Sequence, residues 1–281
     1  MTAARAEVAG GREGGGAQTV PPPRTRFVDV LRMEWTKLRS VPSTFFALAV
    51  TLVVGIGLSA LISGLAANEY RKGTAGVRET WDPTAVSTAG GSLAQLAVAV
   101  LATLVITSEY STGEICATLI AVPTRIRLLA AKAATVGVLA VVVGEVTVFI
   151  SFFIGQALIS GDAPVASLGD PGVLRSLLGT GLYLILLVWL ALGLGALLRG
   201  TAATISTLVA LLYVLPGIAS ALPASWRDPI TKYWPTQAGG QITTVVRADH
   251  TLSPWAGLAV MAVFVGVVLV AAAVRLNQSD A

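Results

Sequence analysis

Six long stretches without a charged residue, or with a single one, dominate this chain. Ser40–Asn68, Pro83–Ser108, Ser176–Leu198, Gly200–Trp226 and Thr251–Val274 carry no Asp, Glu, Lys or Arg, and Ala133–Gly161 is broken only by Glu145. A helix needs about 20 apolar residues to cross the hydrocarbon of a bilayer, and each stretch supplies them. Only 12% of the 281 residues are charged and mean hydropathy is +0.78. A water-soluble core cannot hide that much apolar surface, against about 25% charged residues in an ordinary soluble domain. The expected fold is an all-α integral membrane protein with six transmembrane helices, over about 43–66, 84–108, 130–159, 176–198, 201–224 and 254–274. Only Arg199 and a glycine separate the fourth and fifth, so these form a tight hairpin.

Six spans return both termini to one side, and twelve of the 19 Lys and Arg residues fall on that side. They include Arg24, Arg26, Arg32, Lys37 and Arg39 before the first span and Arg125, Arg127 and Lys132 between the second and third. The positive-inside rule then makes both termini cytoplasmic. Residues 1–23, rich in Gly, Ala and Pro, read as a disordered tail, with the six-span unit at 24–281.

Before the first span, Phe27, Val30, Leu31, Trp35 and Leu38 recur at helical spacing. This is an amphipathic helix in the membrane interface, or else an extension of the first span. Glu34 falls on the apolar side of that wheel. Its partner is Lys37, or a basic residue of the next loop on the same side. Between the second and third spans, Ser111 and Glu114 have the spacing of a capping box, with Gly113 in the first turn and Pro123 as terminator. The expected product is a short helix at the inner surface presenting Ile115, Thr118 and Leu119. Such a helix either rests on lipid or fits a socket on a soluble partner. The connection between the fifth and sixth spans is the longest polar one. Trp226, Tyr233, Trp234 and Trp255 are candidate interface anchors, and Pro229 and Pro235 divide it into short helices.

Glu145 reads as the one ionisable residue well inside a span, about 20 Å along the helix beyond Lys132. It either lines a substrate path or makes a polar contact between helices. Gly55, Ser59 and Ser63, four apart, have the spacing of a helix-packing seam, or are small residues scattered by chance in an Ala- and Gly-rich chain. The Gly55-Ile-Gly57-Leu-Ser-Ala60 run matches a dinucleotide fingerprint only formally, because it lies within a span rather than after a strand. No Walker A, H-E-x-x-H or G-x-S-x-G motif occurs, and one Cys with one His cannot furnish a Cys/His zinc site within one chain.

Three motifs resemble those of bacterial ABC-2-type permeases. These are Glu34-Trp-Thr-Lys37-Leu-Arg39-Ser before the first span, Ser108-Glu109-Tyr110-Ser-Thr-Gly113 with Thr118-Leu119 and Pro123-Thr-Arg125 after the second, and, more loosely, Tyr233-Trp-Pro235 with Ala238-Gly239 before the last. The resemblance implies the permease subunit of an ATP-binding-cassette exporter of a small hydrophobic or amphiphilic substrate. It implies a dimer in the bacterial cytoplasmic (inner) membrane, and separate ATPase subunits that bind ATP and magnesium, so that this chain holds no catalytic, cofactor or metal residues. It also makes the short helix between spans 2 and 3 a coupling helix. Carried over residue by residue, the ATPase-coupling positions are Glu34, Lys37, Glu109, Tyr110, Gly113, Glu114, Ile115, Leu119 and Arg125. Cys116-Ala117 departs from the polar or basic residues expected there. Two other readings of the chain are a secondary transporter or channel, for which Glu145 alone is thin equipment, and a non-transporting membrane anchor or immunity subunit for an ATPase.

Overall fold

The computed structural model describes residues 26–114, 118, 124–248 and 251–278. The tail assigned to residues 1–23, together with Ile115, Cys116 and Leu119, lies outside the described residues. Among these residues every regular element is helical. Six helices are long and apolar enough to cross a membrane: α2 (Pro42–Lys72), α4 (Gly91–Thr112), α5 (Arg125–Ile159), α6 (Val173–Leu198), the fifth span Thr201–Ser220, and α11 (Pro254–Gln278). The fifth span is built from α7 (Thr201–Val209), a π-turn at Ala210–Val214 and α8 (Leu215–Ser220). Shorter helices are α1 (Phe27–Ser40), α3 (Pro83–Ser87), α9 (Ala224–Tyr233) and α10 (Pro235–Gly240).

Local sequence explains the breaks. Val41 is extended because the ring of Pro42 disfavours helical backbone in the residue before it, so α1 is a separate helix and not the start of the first span. The uncharged run from Pro83 to Ser108 is likewise not one helix. Asp82 caps α3 by accepting from the Thr84 and Ala85 amides, and the span proper begins at Gly91. Arg199, in left-handed backbone, and Gly200 make the two-residue turn between α6 and α7. Pro229 lies within α9, so only the turn at Trp234–Pro235 divides the long polar connection as expected.

α6 is the central helix: 67% of its apolar window is buried, against 17–44% for the other spans. It packs against α4, α5 and α11. The outer helices invert the pattern of a soluble bundle. On α2 the buried residues are Thr44, Thr51, Gly55, Ser59, Ser63 and Ala67, while Phe45, Phe46, Val53, Leu61 and Leu65 face outward. On α11, Val263, Val267 and Val270 face outward. Small residues inside and large apolar ones outside suit packing in lipid, where close approach rather than water exclusion joins helices. The Gly55–Ser59–Ser63 seam is real and tight. Ser59 Oγ accepts from the Gly90 amide at 2.9 Å, and a Cβ on Gly90 would overlap the Gly55 carbonyl oxygen. A Cβ on Gly155 of α5 would overlap Ser87.

The fifth span shows how one proline shapes the opposite end. In the π-turn the Leu215 amide bonds the Ala210 carbonyl, and the next residue, Pro216, has no N–H to offer. The Leu211 carbonyl is thereby released from the helix ladder. It accepts instead from Trp234 Nε1 at 2.8 Å and Thr236 Oγ1 at 3.1 Å, which fastens the start of α10 to the bundle. Arg175 completes the attachment by donating to the carbonyls of Ile242 and Thr244. Of the expected aromatic anchors, Trp226, Tyr233 and Trp255 are exposed, whereas Trp234 turns inward to make this bond.

Candidate functional site: a buried charge relay

α1 docks through Val30, Glu34 and Leu38, a stripe of spacing four with a carboxylate at its centre. Its counter-charge is Lys132 of α5, whose ammonium lies 2.8 Å from Glu34 Oε2 and 2.6 Å from Glu109 Oε1 of α4. Glu34, Glu109 and Lys132 are all fully buried. Glu109 Oε1 also accepts from Lys37 at 2.8 Å, and Lys37 reaches Glu114 at 3.0 Å and the Thr118 hydroxyl at 3.2 Å. The run Glu34–Lys132–Glu109–Lys37–Glu114 therefore ties α1 to the ends of two spans and to the segment after Gly113. Val30, Leu128 and Ala131 pack beside it with Tyr110.

The electrostatics follow from burial and from alternation of sign. Burial pushes the Glu34 carboxyl above its ordinary range, with Lys132 pulling it back down. Burial by itself would lower the Lys37 ammonium; its hydrogen bonds to Glu109 and Glu114 outweigh that and raise it. Glu34 Oε1 and Glu109 Oε2 have no hydrogen-bond partner among the described residues. Both residues border a cavity of about 270 Å³ between α1, α4 and the start of α2. Glu34, Lys132 and Glu109 are buried and costly to separate, whereas Lys37 and Glu114, 29% and 51% exposed, form the open end of the relay, so pulling α1 away from α5 would strand buried charge.

The resemblance-derived residues divide accordingly. Glu34, Lys37, Glu109 and Glu114 meet in the relay, and Tyr110 lies alongside under the Arg199 guanidinium, 5.4 Å from its ring centre. Glu34 does not pair with Lys37; of the two expected partners it takes the one from beyond the second span. Gly113 is not in the first turn of a new helix. It is the left-handed C-cap of α4, with φ 73°, and Ser111 lies inside α4 donating to the Ser108 carbonyl. The Ser111–Glu114 capping box is therefore absent, because glycine ends the preceding helix where the box would have to begin. Arg125 stands apart and donates to the Leu276 carbonyl, which joins the start of α5 to the last turn of α11.

Lys132 is the residue that sequence reasoning missed. It read as one more basic marker in the loop, yet α5 begins at Arg125 and Lys132 lies two turns inside it between Ala131 and Ala133. A lone lysine flanked by alanines is the available signal, since ionisable groups within spans are costly without a partner. Glu145 is thus one of several ionisable residues inside the span helices. Its Oε1 accepts from the Gly181 amide of α6 at 3.0 Å, a polar contact between helices.

No curated protein matches the chain. The profile of the family described as "ABC-2 family transporter protein" matches residues 30–217, from α1 through the fifth span. With two thirds of its length matched, and with six apolar helices arranged around α6, this chain belongs to the ABC-2 transporter family as its multi-pass membrane component.

Proposed function

We propose that the chain is the permease subunit of an ATP-binding-cassette exporter. It works as a dimer in the bacterial cytoplasmic membrane, with the α1 end inward, and is driven by separate ATPase subunits that hold ATP and magnesium. The observation that carries this reading is the buried relay. A partner pressing on α1 or on the segment after Gly113 acts on Lys37 and Glu114, and through Glu109 and Lys132 on two spans at once. Glu34, Lys37, Glu109, Tyr110, Gly113, Glu114, Ile115, Leu119 and Arg125 form or flank the ATPase-facing surface. Ile115 and Leu119 are its apolar handles, each worth about 1.5–3 kcal/mol on burial. The Glu145–Gly181 contact supports a structural role for Glu145.

The test is co-purification of the tagged chain from its own membranes with a subunit that is photolabelled by azido-ATP. Ile115→Asp with Leu119→Asp should abolish that recovery and leave insertion intact, because a carboxylate in an apolar socket costs more than the lost contact. Undiminished recovery would sink the assignment of this segment. Cys116, the sole thiol, should react with an impermeant maleimide in inverted vesicles and not in intact cells; the reverse would overturn the inward orientation.

A further inference from the structure

At the end of the bundle away from α1, a cavity of about 360 Å³ lies between α2, α4, α5 and α6 beneath the 235–244 segment. That size falls near the lower end of small-molecule sites, roughly 300–1,000 Å³. Its roof is held by the bonds described above, from Trp234 and Thr236 to Leu211 and from Arg175 to Ile242 and Thr244. None of its lining residues is Asp, Glu, Lys, Arg or His. The wall is instead dense in hydroxyl and amide groups. Ala89, Ala94, Val98, Val148 and Leu184 add apolar area between them.

At least six of the hydroxyls donate to backbone carbonyls. Thr51, Thr88, Thr147 and Thr180 each donate to the carbonyl four residues back in their own helix, Ser92 donates to Ala89, and Thr236 donates to Leu211. Their hydrogens are committed, so each oxygen offers only lone pairs to a ligand. The Tyr183 hydroxyl and the side-chain amides of Gln95, Gln237 and Gln241 also line the cavity and bring donors, so the concave wall is uncharged, rich in acceptors and interspersed with a few O–H and N–H donors. An anion meets no cation there. A primary ammonium, once stripped of water, meets no carboxylate to compensate it. Glu145, next to the lining residue Gly144, does not line the cavity and is bonded to Gly181. A neutral group rich in hydroxyls, each able to donate and to accept, satisfies the wall, and an apolar stem suits the Ala, Val and Leu side chains between the polar groups.

We propose that this cavity binds the neutral, polyhydroxylated head of an amphiphile, a glycoside-like or polyol-like group on an apolar stem. For its role in export the idea rests on the permease reading above. As a binding site it stands on the cavity alone. The experiment is calorimetric titration of the nanodisc-reconstituted chain with hexyl glucoside, hexyl sulfate and hexylamine, each below its micellar concentration. The three probes share a stem and differ in the charge of the head. Hexyl glucoside should bind saturably and at least tenfold more tightly than the other two. The triple variant Thr147→Val, Thr180→Val and Tyr183→Phe keeps volume and removes three of the polar groups. It should weaken glucoside binding at least tenfold without moving the ligand-free melting temperature.

Gly240→Leu provides a second route that does not depend on the triple variant folding. Gly240 borders the cavity, a Cβ there meets open space, and its φ is not left-handed. The larger side chain should lower affinity by occlusion. Absence of saturable glucoside binding would overturn the proposal, as would equal affinity for the three heads or unchanged affinity in both variants. Recovery of the azido-ATP-labelled subunit is indifferent to all of these results, so failure here is separable from failure of the permease reading.

Discussion

Lys132 and Glu34 are 98 residues apart in sequence and 2.8 Å apart in space, each with its side chain 2% exposed. The pair fixes a surface helix to the wall of a membrane bundle. It does so with a buried carboxylate whose one counter-ion is an ammonium shared with Glu109, so the bond works as a positional lock rather than as a large net source of stability.

Removing one member should therefore cost far more than removing both. Lys132→Met leaves Glu34 and Glu109 buried with one fewer cation, an expected loss of about 3–5 kcal/mol. It should appear as a collapse of the monodisperse fraction in size-exclusion chromatography. Adding Glu34→Met to that variant should restore much of the yield, because a buried ion pair is often replaceable by apolar groups of similar volume. A double variant no better than Lys132→Met would show that the lock is not pairwise.

The close approach of α2 to its neighbours predicts a sharp contrast among glycines. Gly90→Ala drives a methyl into the Gly55 carbonyl and Gly155→Ala drives one into Ser87. Each should destabilise by about 1–3 kcal/mol, since packed backbone cannot yield as a flexible side chain can. Gly64→Ala meets nothing within 4 Å on the same helix as the seam. It should be neutral or stabilise by up to about 1 kcal/mol through helix propensity. Thermal melting in detergent ranks the three.

The Leu211 carbonyl has two donors where a continuous helix would have supplied one. Trp234→Phe or Thr236→Val alone should be mild, near 1 kcal/mol. The double variant leaves the half-buried Leu211 carbonyl without either donor and should cost more than the sum of the two, loosening the roof of the cavity beneath the 235–244 segment. Protection of the 234–244 amides in hydrogen exchange reads this directly, and simple additivity would contradict the shared-acceptor account.

Two groups of the relay give opposite parts of the pH profile. The Lys37 value is raised above 10.5, so its ion pairs contribute fully below that and are lost as pH rises through the raised folded value. Lys37 is partly exposed, so the effect should stay under about 1 kcal/mol. The melting advantage of wild type over Lys37→Met should hold at neutral pH and decline only as alkaline pH passes through the raised folded value. Glu34 is raised above 4.5 by burial, and its favourable contribution belongs to the protonated form, present below 4.5 and lost as pH rises through the folded value. The stability of wild type relative to Glu34→Gln should therefore fall between acid and neutral pH. A relative stability that rises with pH would mean that Lys132 outweighs the cost of burial.

The sequence by itself determined the six membrane helices and the two-residue turn at Arg199–Gly200, and it offered the seam at Gly55, Ser59 and Ser63 that the contact with Gly90 then selected. Length, hydropathy and the spacing of small residues are local properties, and lipid imposes them whatever the neighbours are. Motifs in α1 and after the second span also carried the family. The tertiary structure decided which charges meet. Glu34 had two candidate partners at the sequence level, and only the docking of α1 on α5 selects Lys132. Ser111 and Gly113 matched a local pattern, but the helix already running from Gly91 consumed Ser111 and used Gly113 to stop. The cavity beneath the 235–244 segment was invisible in the chain because its walls come from four spans and a folded-back segment. A hydroxyl whose proton is spent on its own helix looks no different in sequence from one left free, and that difference, set by three-dimensional packing, decides what the cavity can hold.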